Sequence, residues 1–120
     1  MMVKHFYDLE VWKKANELTV KIYKLTKNFP NDERYGMVDQ MRRASSSVGA
    51  NIAEGFGRYY QKDKIKFFRN SRGSLYEVQN FLILALDLGF AEKDAVKNLI
   101  NDYQGLAYGL NKLIKVIGSH

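Results

Sequence analysis

Apolar residues recur every three or four positions through most of this chain, and no stretch alternates with a clean period of two. That spacing places an apolar stripe on each of several helices and leaves nothing that reads as a half-buried strand. Leu9, Trp12, Ala15, Thr19, Ile22 and Leu25 or Thr26 carry the stripe first, and Met37, Met41, Ala44, Val48 and Ile52 carry it next. Ile65, Phe68, Leu75, Leu82 and Leu86 continue it, and Leu99, Tyr103, Leu106, Leu110, Leu113 and Ile117 complete it. The chain has one proline, Pro30, so long helices are permitted almost everywhere else.

Three breaks divide the pattern. Pro30 turns Phe29 out of helical geometry, Asn31 offers an N-cap, and Asp32 and Glu33 suit the positive end of a new helix dipole. Gly55-Phe56-Gly57, ahead of Arg58-Tyr59-Tyr60, can end a second helix, and Gly89-Phe90-Ala91 a third. The breaks predict helices over about residues 8–28, 32–56, 61–88 and 92–117. Long helices joined by short loops pack as antiparallel neighbours, so the expected fold is all-α, an up-down-up-down four-helix bundle. With 120 residues, 1–120 reads as a single domain with one core.

Catalytic chemistry finds little to work with. The chain has no cysteine, which excludes a disulfide framework, a thiolate zinc site and a cysteine nucleophile. Its two histidines, His5 and His120, sit at opposite ends, and no helix carries the Glu-x-x-His pair of a di-iron bundle. Ser45, Ser46 and Ser47 read as small residues at a close helix contact. Gly55-x-Gly57 lacks the preceding strand and the Gly-Lys-Ser/Thr ending of a phosphate loop. The sequence therefore predicts no enzyme, no metal and no cofactor. Met1 to Trp12 holds no apolar core of signal-peptide length, and Phe81 to Leu86 is far too short to span a bilayer. A soluble, cytoplasmic protein is expected.

Charge is more informative. Nineteen basic residues against thirteen acidic ones give +6, with a pI near 9.5. Residues 58–72 alone contribute +5, from Arg58, Lys62, Lys64, Lys66, Arg69 and Arg72 against Asp63. Tyr59, Tyr60, Phe67 and Phe68 are interleaved with them. Basic side chains neutralise phosphates and exposed aromatics stack on unpaired bases, so the run is a candidate nucleic-acid surface. Arg58, Lys62, Lys64, Lys66 and Arg69 are its candidate phosphate contacts. On the second helix, Gln40, Ala44, Ser47, Asn51, Glu54 and Arg58 line one face at spacings of three and four. Arg69, Arg72, Tyr76 and Gln79 make a comparable stripe on the third. The two stripes predict a solvated face, a ligand site, or a buried network of Ser47, Asn51, Glu54 and Arg72 with Glu54 paired to Arg69 or Arg72.

Several motifs together resemble a known family. Leu9-x-x-Trp12-x-x-Ala15, Phe29-Pro30 and Glu33-x-Tyr35-Gly36 open the match. Gln40-Met41-Arg42-Arg43-Ala44-x-x-Ser47-Val48-x-x-Asn51-Ile52-Ala53-Glu54-Gly55 is its specific centre, and Gly73-Ser74-Leu75-x-Glu77 follows. Over roughly residues 6 to 117 the chain resembles the 23S rRNA intervening-sequence protein family, and is similar to the accessory variability determinant of diversity-generating retroelements. Asn70 and Ser71 depart from the family pattern and make the third helix more polar. The resemblance implies a four-helix bundle that assembles as a homopentamer without enzymatic activity. In the retroelement relative it implies binding of nucleic acid and reverse transcriptase through basic surfaces. Trp12, seven phenylalanines and eight tyrosines also exceed what one slim bundle covers easily, which favours a homo-oligomer. The expected function is an oligomeric nucleic-acid-binding module, for RNA or a nucleic acid–protein assembly. The alternative is a scaffold whose basic surface recruits an acidic protein.

Overall fold

Each break in the apolar pattern separates two helices in the structure, a computed structural model that describes residues 3–119. The helices are α1 (Glu10–Thr26), α2 (Met37–Gly57), α3 (Gln61–Asp87) and α4 (Lys93–Gly118). Short 3-10 turns cover Phe6–Asp8 and Asn31–Glu33, and the described residues contain no strand. The helices lie side by side in a body measuring 46 × 24 × 20 Å.

The second helix begins later than the sequence pattern predicts. Asn31 makes no side-chain cap; with Asp32 and Glu33 it forms the 3-10 turn after Pro30. Gly36 stands at the true N-cap, and the Glu33 carboxylate reaches forward to accept the Met37 N–H at 3.4 Å. The acid favoured by the dipole thus acts from the preceding turn rather than from inside the helix. Gly55 is also not a terminator. It is buried inside α2, where a Cβ would stand 2.9 Å from the Phe68 ring, so only glycine admits that close approach of α3. Gly57 is the last residue of the helix. At the third break Gly89 adopts φ +78°, the left-handed conformation glycine tolerates. The Phe90 N–H then bonds the Ala85 carbonyl at 2.9 Å and the Gly89 N–H bonds Leu86 at 3.0 Å, closing the end of α3. Phe90 rests against buried Phe29, ring centroids 5.7 Å apart, which joins the two loops at that end.

Side-chain bonds fix how the helices pair. Thr19 Oγ1 donates to the Ser45 carbonyl, and Arg42 Nε to Thr26 Oγ1. Ser71 Oγ donates to the Val48 carbonyl at 2.7 Å and Ser74 Oγ to Ser47 Oγ at 3.0 Å. Arg72 donates to Asn111, and Gln79 to the Ile100 carbonyl. Between α1 and α4, Lys21 meets Asp102 at 3.7 Å. In the contacts of α1 with α2, α2 with α3 and α3 with α4, rising residue numbers on one helix meet falling numbers on its neighbour.

The expected α2 stripe, Met37, Met41, Ala44, Val48 and Ile52, is buried throughout. On α1 Ala15, Ile22 and Thr26 are buried as expected, but Leu18 is buried where Thr19 was expected and Thr19 is half-buried; Trp12 and Leu25, with Leu9 at the N-cap, pack half-buried against the core. Tyr103, Leu106 and Leu110 bring α4 to the same core. Ser71, which departs from the family pattern, is fully buried, and its bond to Val48 satisfies the hydroxyl there. Of the three consecutive serines, Ser45 is buried and Ser47 half-buried at helix contacts, whereas Ser46 faces solvent.

Candidate nucleic-acid interface

Because α3 starts at Gln61, Lys62, Lys66 and Arg69 follow one another at spacings of four and three and share a face. All three are exposed. Together with Asp63 and Asn70 they line a shallow hollow of about 430 Å³. Among the described residues none of the three is held in an ion pair. Lys62 stands in the first turn of α3, where the helix dipole favours an anion, so it opposes the local field of the fold. Asp63, in the same turn and lining the same hollow, is the acid that answers the dipole.

The other two candidates are already engaged. Lys64 lies on a different side of α3, half-buried, with Nζ donating to the carbonyl of Phe56 at 2.7 Å and reaching that of Gly55 at 3.5 Å. The last carbonyls of α2 lack partners within their own helix, and Lys64 supplies one. It belongs to the fold rather than to the basic face. Arg58 is pinned from two sides. Its Nη2 lies 2.7 Å from Glu54 Oε1, and its guanidinium sits 4.7 Å from the centre of the Phe67 ring.

The buried network of Ser47, Asn51, Glu54 and Arg72 does not form as expected. Glu54 is exposed and pairs with Arg58, one turn along its own helix, not with Arg69 or Arg72. Arg72 points away to Asn111 Oδ1 on α4, at 2.7 Å. The shorter reach within one helix decides this, because an i,i+4 pair needs no second backbone to approach. Only the small residues meet. Asn51 Nδ2 donates to the Ser47 carbonyl and hydroxyl, both at 2.9 Å, and Ser74 completes the chain from α3. This is a register contact between α2 and α3, with no charged member.

One basic residue lies outside the sequence-based candidates. Lys115 of α4 is exposed, one turn beyond Asn111 on the stripe that faces α3, and Gly118 lies beside Ile65. That register sets Lys115 at about the height of Phe68 and Arg69. Its spacing from Asn111 was legible, but the pairing of Asn111 with Arg72 was not. Tyr59 and Tyr60 fill the short link between α2 and α3 and are 87% and 68% exposed.

Elsewhere, the Tyr103 hydroxyl is buried without a hydrogen-bonding protein partner, and burial pushes its pKa well above the usual tyrosine value. Among the described residues no group of three His, Asp or Glu side chains could hold a metal ion. His120 lies outside the described residues. Among the described residues no helix is long and apolar enough to cross a membrane.

The family model for the 23S rRNA-intervening sequence protein matches residues 7–112. A solved structure from Bacteroides thetaiotaomicron VPI-5482, a protein of unknown function from the S23 ribosomal protein family, superimposes with a TM-score of 0.81. The two chains are 25% identical, and the match covers 88% of this chain and 95% of that one. No curated protein matches.

Proposed function

The chain belongs to the 23S rRNA-intervening sequence protein family, and from that premise we propose a non-enzymatic, cytoplasmic module that binds nucleic acid, RNA foremost, through its basic face. The observation that carries this reading is the exposed row of Lys62, Lys66 and Arg69, free of ion pairs and gathered around one hollow. Three cations on one face suit phosphates, which set affinity and position without reading sequence. Arg58 and Lys64 contribute field but not contacts, since both are committed to the α2–α3 junction.

In the same proposal the helices run up-down-up-down and the protein assembles as a homopentamer. The opposed pairings of neighbouring helices support the first part. Apolar surface that one chain leaves open supports assembly: Leu9, Val11, Gly109, Leu113 and Val116 line a groove of about 310 Å³ between α1 and α4. A ring would repeat the basic face around its circumference.

Binding to RNA is the test. Retention at about 50 mM salt should fall steeply as salt rises, with a log–log slope of about −0.7 per phosphate on single strands and about −0.9 on duplex DNA. Lys62→Glu, Lys66→Glu and Arg69→Glu together should weaken binding to every sequence while the oligomer persists. Light scattering should give about 70 kDa for a ring of five 13.9 kDa chains. A wild-type protein that retains neither RNA nor DNA at low salt overturns the reading in favour of a scaffold for an acidic protein.

A further inference from the structure

Resting on the basic-face reading, we infer that the strand bound is single-stranded, and that Tyr59 and Tyr60 stack on its unpaired bases while Lys62, Lys66 and Arg69 hold its phosphates. Both tyrosine rings stand in water, 87% and 68% exposed, and they contact each other edge to face at a centroid distance of 5.0 Å. An edge-to-face pair leaves broad ring surface open. Neither ring belongs to the core packed by the four helices.

The link that carries them is held in place. Arg58 and Tyr60 have extended backbones, with ψ 147° and 139°. The Arg58 N–H bonds the Gly55 carbonyl at 3.3 Å, and the Tyr60 carbonyl accepts the Lys64 N–H at 3.0 Å. The Arg58 side chain pairs with Glu54 and lies over the Phe67 ring, 4.7 Å from its centroid, on one side of the link. A tyrosine has only two side-chain torsions, so rings on a fixed link lose little freedom when they stack.

Placement completes the argument. Tyr60 directly precedes α3, and Lys62 is two residues further on. From Lys62 to Arg69 the helix rises roughly 10 Å, at about 1.5 Å per residue. The rings thus stand at one end of a short basic track. A strand with free bases can use both features, stacking at the rings and lying along the track. Bases inside a duplex are already stacked on one another and offer phosphates only. Stacking tolerates every base, so the site would select strandedness rather than sequence.

The experiment compares two probes on the full-length protein: a labelled oligouridine, and a long duplex RNA with few ends. Tyr59→Ala with Tyr60→Ala should weaken oligouridine binding by roughly tenfold or more and change duplex binding less than about twofold. Tyr59→Phe with Tyr60→Phe keeps both rings and should bind like wild type. The Lys62, Lys66 and Arg69 reversals should weaken both probes. Circular dichroism should leave the alanine variant as helical as wild type, since neither ring packs in the core. If the alanine variant loses neither probe, or both equally, stacking is wrong while the basic face stands. Binding of duplex alone by wild type overturns it as well. Absence of binding to either probe sinks both readings. Loss of binding to phosphatidylserine vesicles with oligouridine binding unchanged would reassign the rings to a membrane surface and overturn the inference.

Discussion

The Lys64 ammonium lies 2.7 Å from the carbonyl oxygen of Phe56, so the first turn of α3 closes the last turn of α2. One cation thereby satisfies a carbonyl that α2 cannot, at the negative end of that helix dipole. Lys64→Met keeps the apolar stem and removes the charge. It should cost about 1 kcal/mol of stability. Thermal unfolding should read this as a fall of a few degrees, with RNA binding close to wild type. A loss of binding without a loss of stability would return Lys64 to the basic face.

Glu54 and Arg58 are both about half exposed, so their ion pair is screened by water and salt. Pairs of this kind on a helix surface contribute about 0.3–0.5 kcal/mol. Glu54→Ala should therefore shift the denaturant midpoint barely, and Glu54→Ala with Arg72→Ala should behave additively, since Arg72 pairs with Asn111 instead. A coupling beyond about 0.5 kcal/mol between positions 54 and 72 contradicts the geometry.

Two glycines should respond to alanine with opposite signs. Gly73 is exposed inside α3, and a Cβ there meets nothing within 4 Å. Gly73→Ala should stabilise the protein by up to about 1 kcal/mol through helix propensity. At Gly55 the same methyl would stand 2.9 Å from Phe68 Cε1 and 3.1 Å from Phe67 Cβ. Overpacking costs about 1–3 kcal/mol and outweighs the propensity gain. Gly55→Ala should be destabilising, and Phe68→Leu in that background should recover part of the loss.

Tyr103 sets an alkaline limit. Its hydroxyl is buried, finds no hydrogen-bonding protein partner, and has its pKa raised by desolvation above the ordinary value of 10.0. The folded state thus holds the proton where the unfolded chain releases it. This contribution is fully present below pH 10 and is lost at about 1.4 kcal/mol per pH unit as pH rises above it. Tyr103→Phe should remove that part of the alkaline slope. At neutral pH it should be neutral or stabilising by about 1 kcal/mol, because it deletes an unpaired polar group. Urea unfolding at pH 7 and pH 11 measures both.

Helix number and the buried face of α2 were legible because a 3.6-residue period is a property of one segment at a time. Met41, Val48 and Ile52 needed no knowledge of neighbours to be placed in the core. The basic row of Lys62, Lys66 and Arg69 was legible for the same reason. What failed depended on two backbones at once. Glu54 found its partner in Arg58, one turn along the same face, and it was the turn of Arg72 to Asn111 on α4 that needed a second backbone to be seen. Lys64 looked like one more lysine of the run until the path of the Arg58–Tyr60 link brought its ammonium to the end of α2. Gly55 read as a terminator because its function is to admit Phe68, a residue thirteen positions away.

The contact between Gly55 and Phe68 has a consequence for how the sequence can drift. A side chain arriving at position 55 before the ring at 68 has shrunk makes an overpacked intermediate, and the reverse order leaves a void. The two positions are thus expected to change together across lineages or not at all. Lys62, Lys66 and Arg69, exposed on their face of α3, carry no such coupling. Ancestors and descendants of this chain can retune their charged surface, and with it their choice of partner, while the α2–α3 junction passes down unchanged.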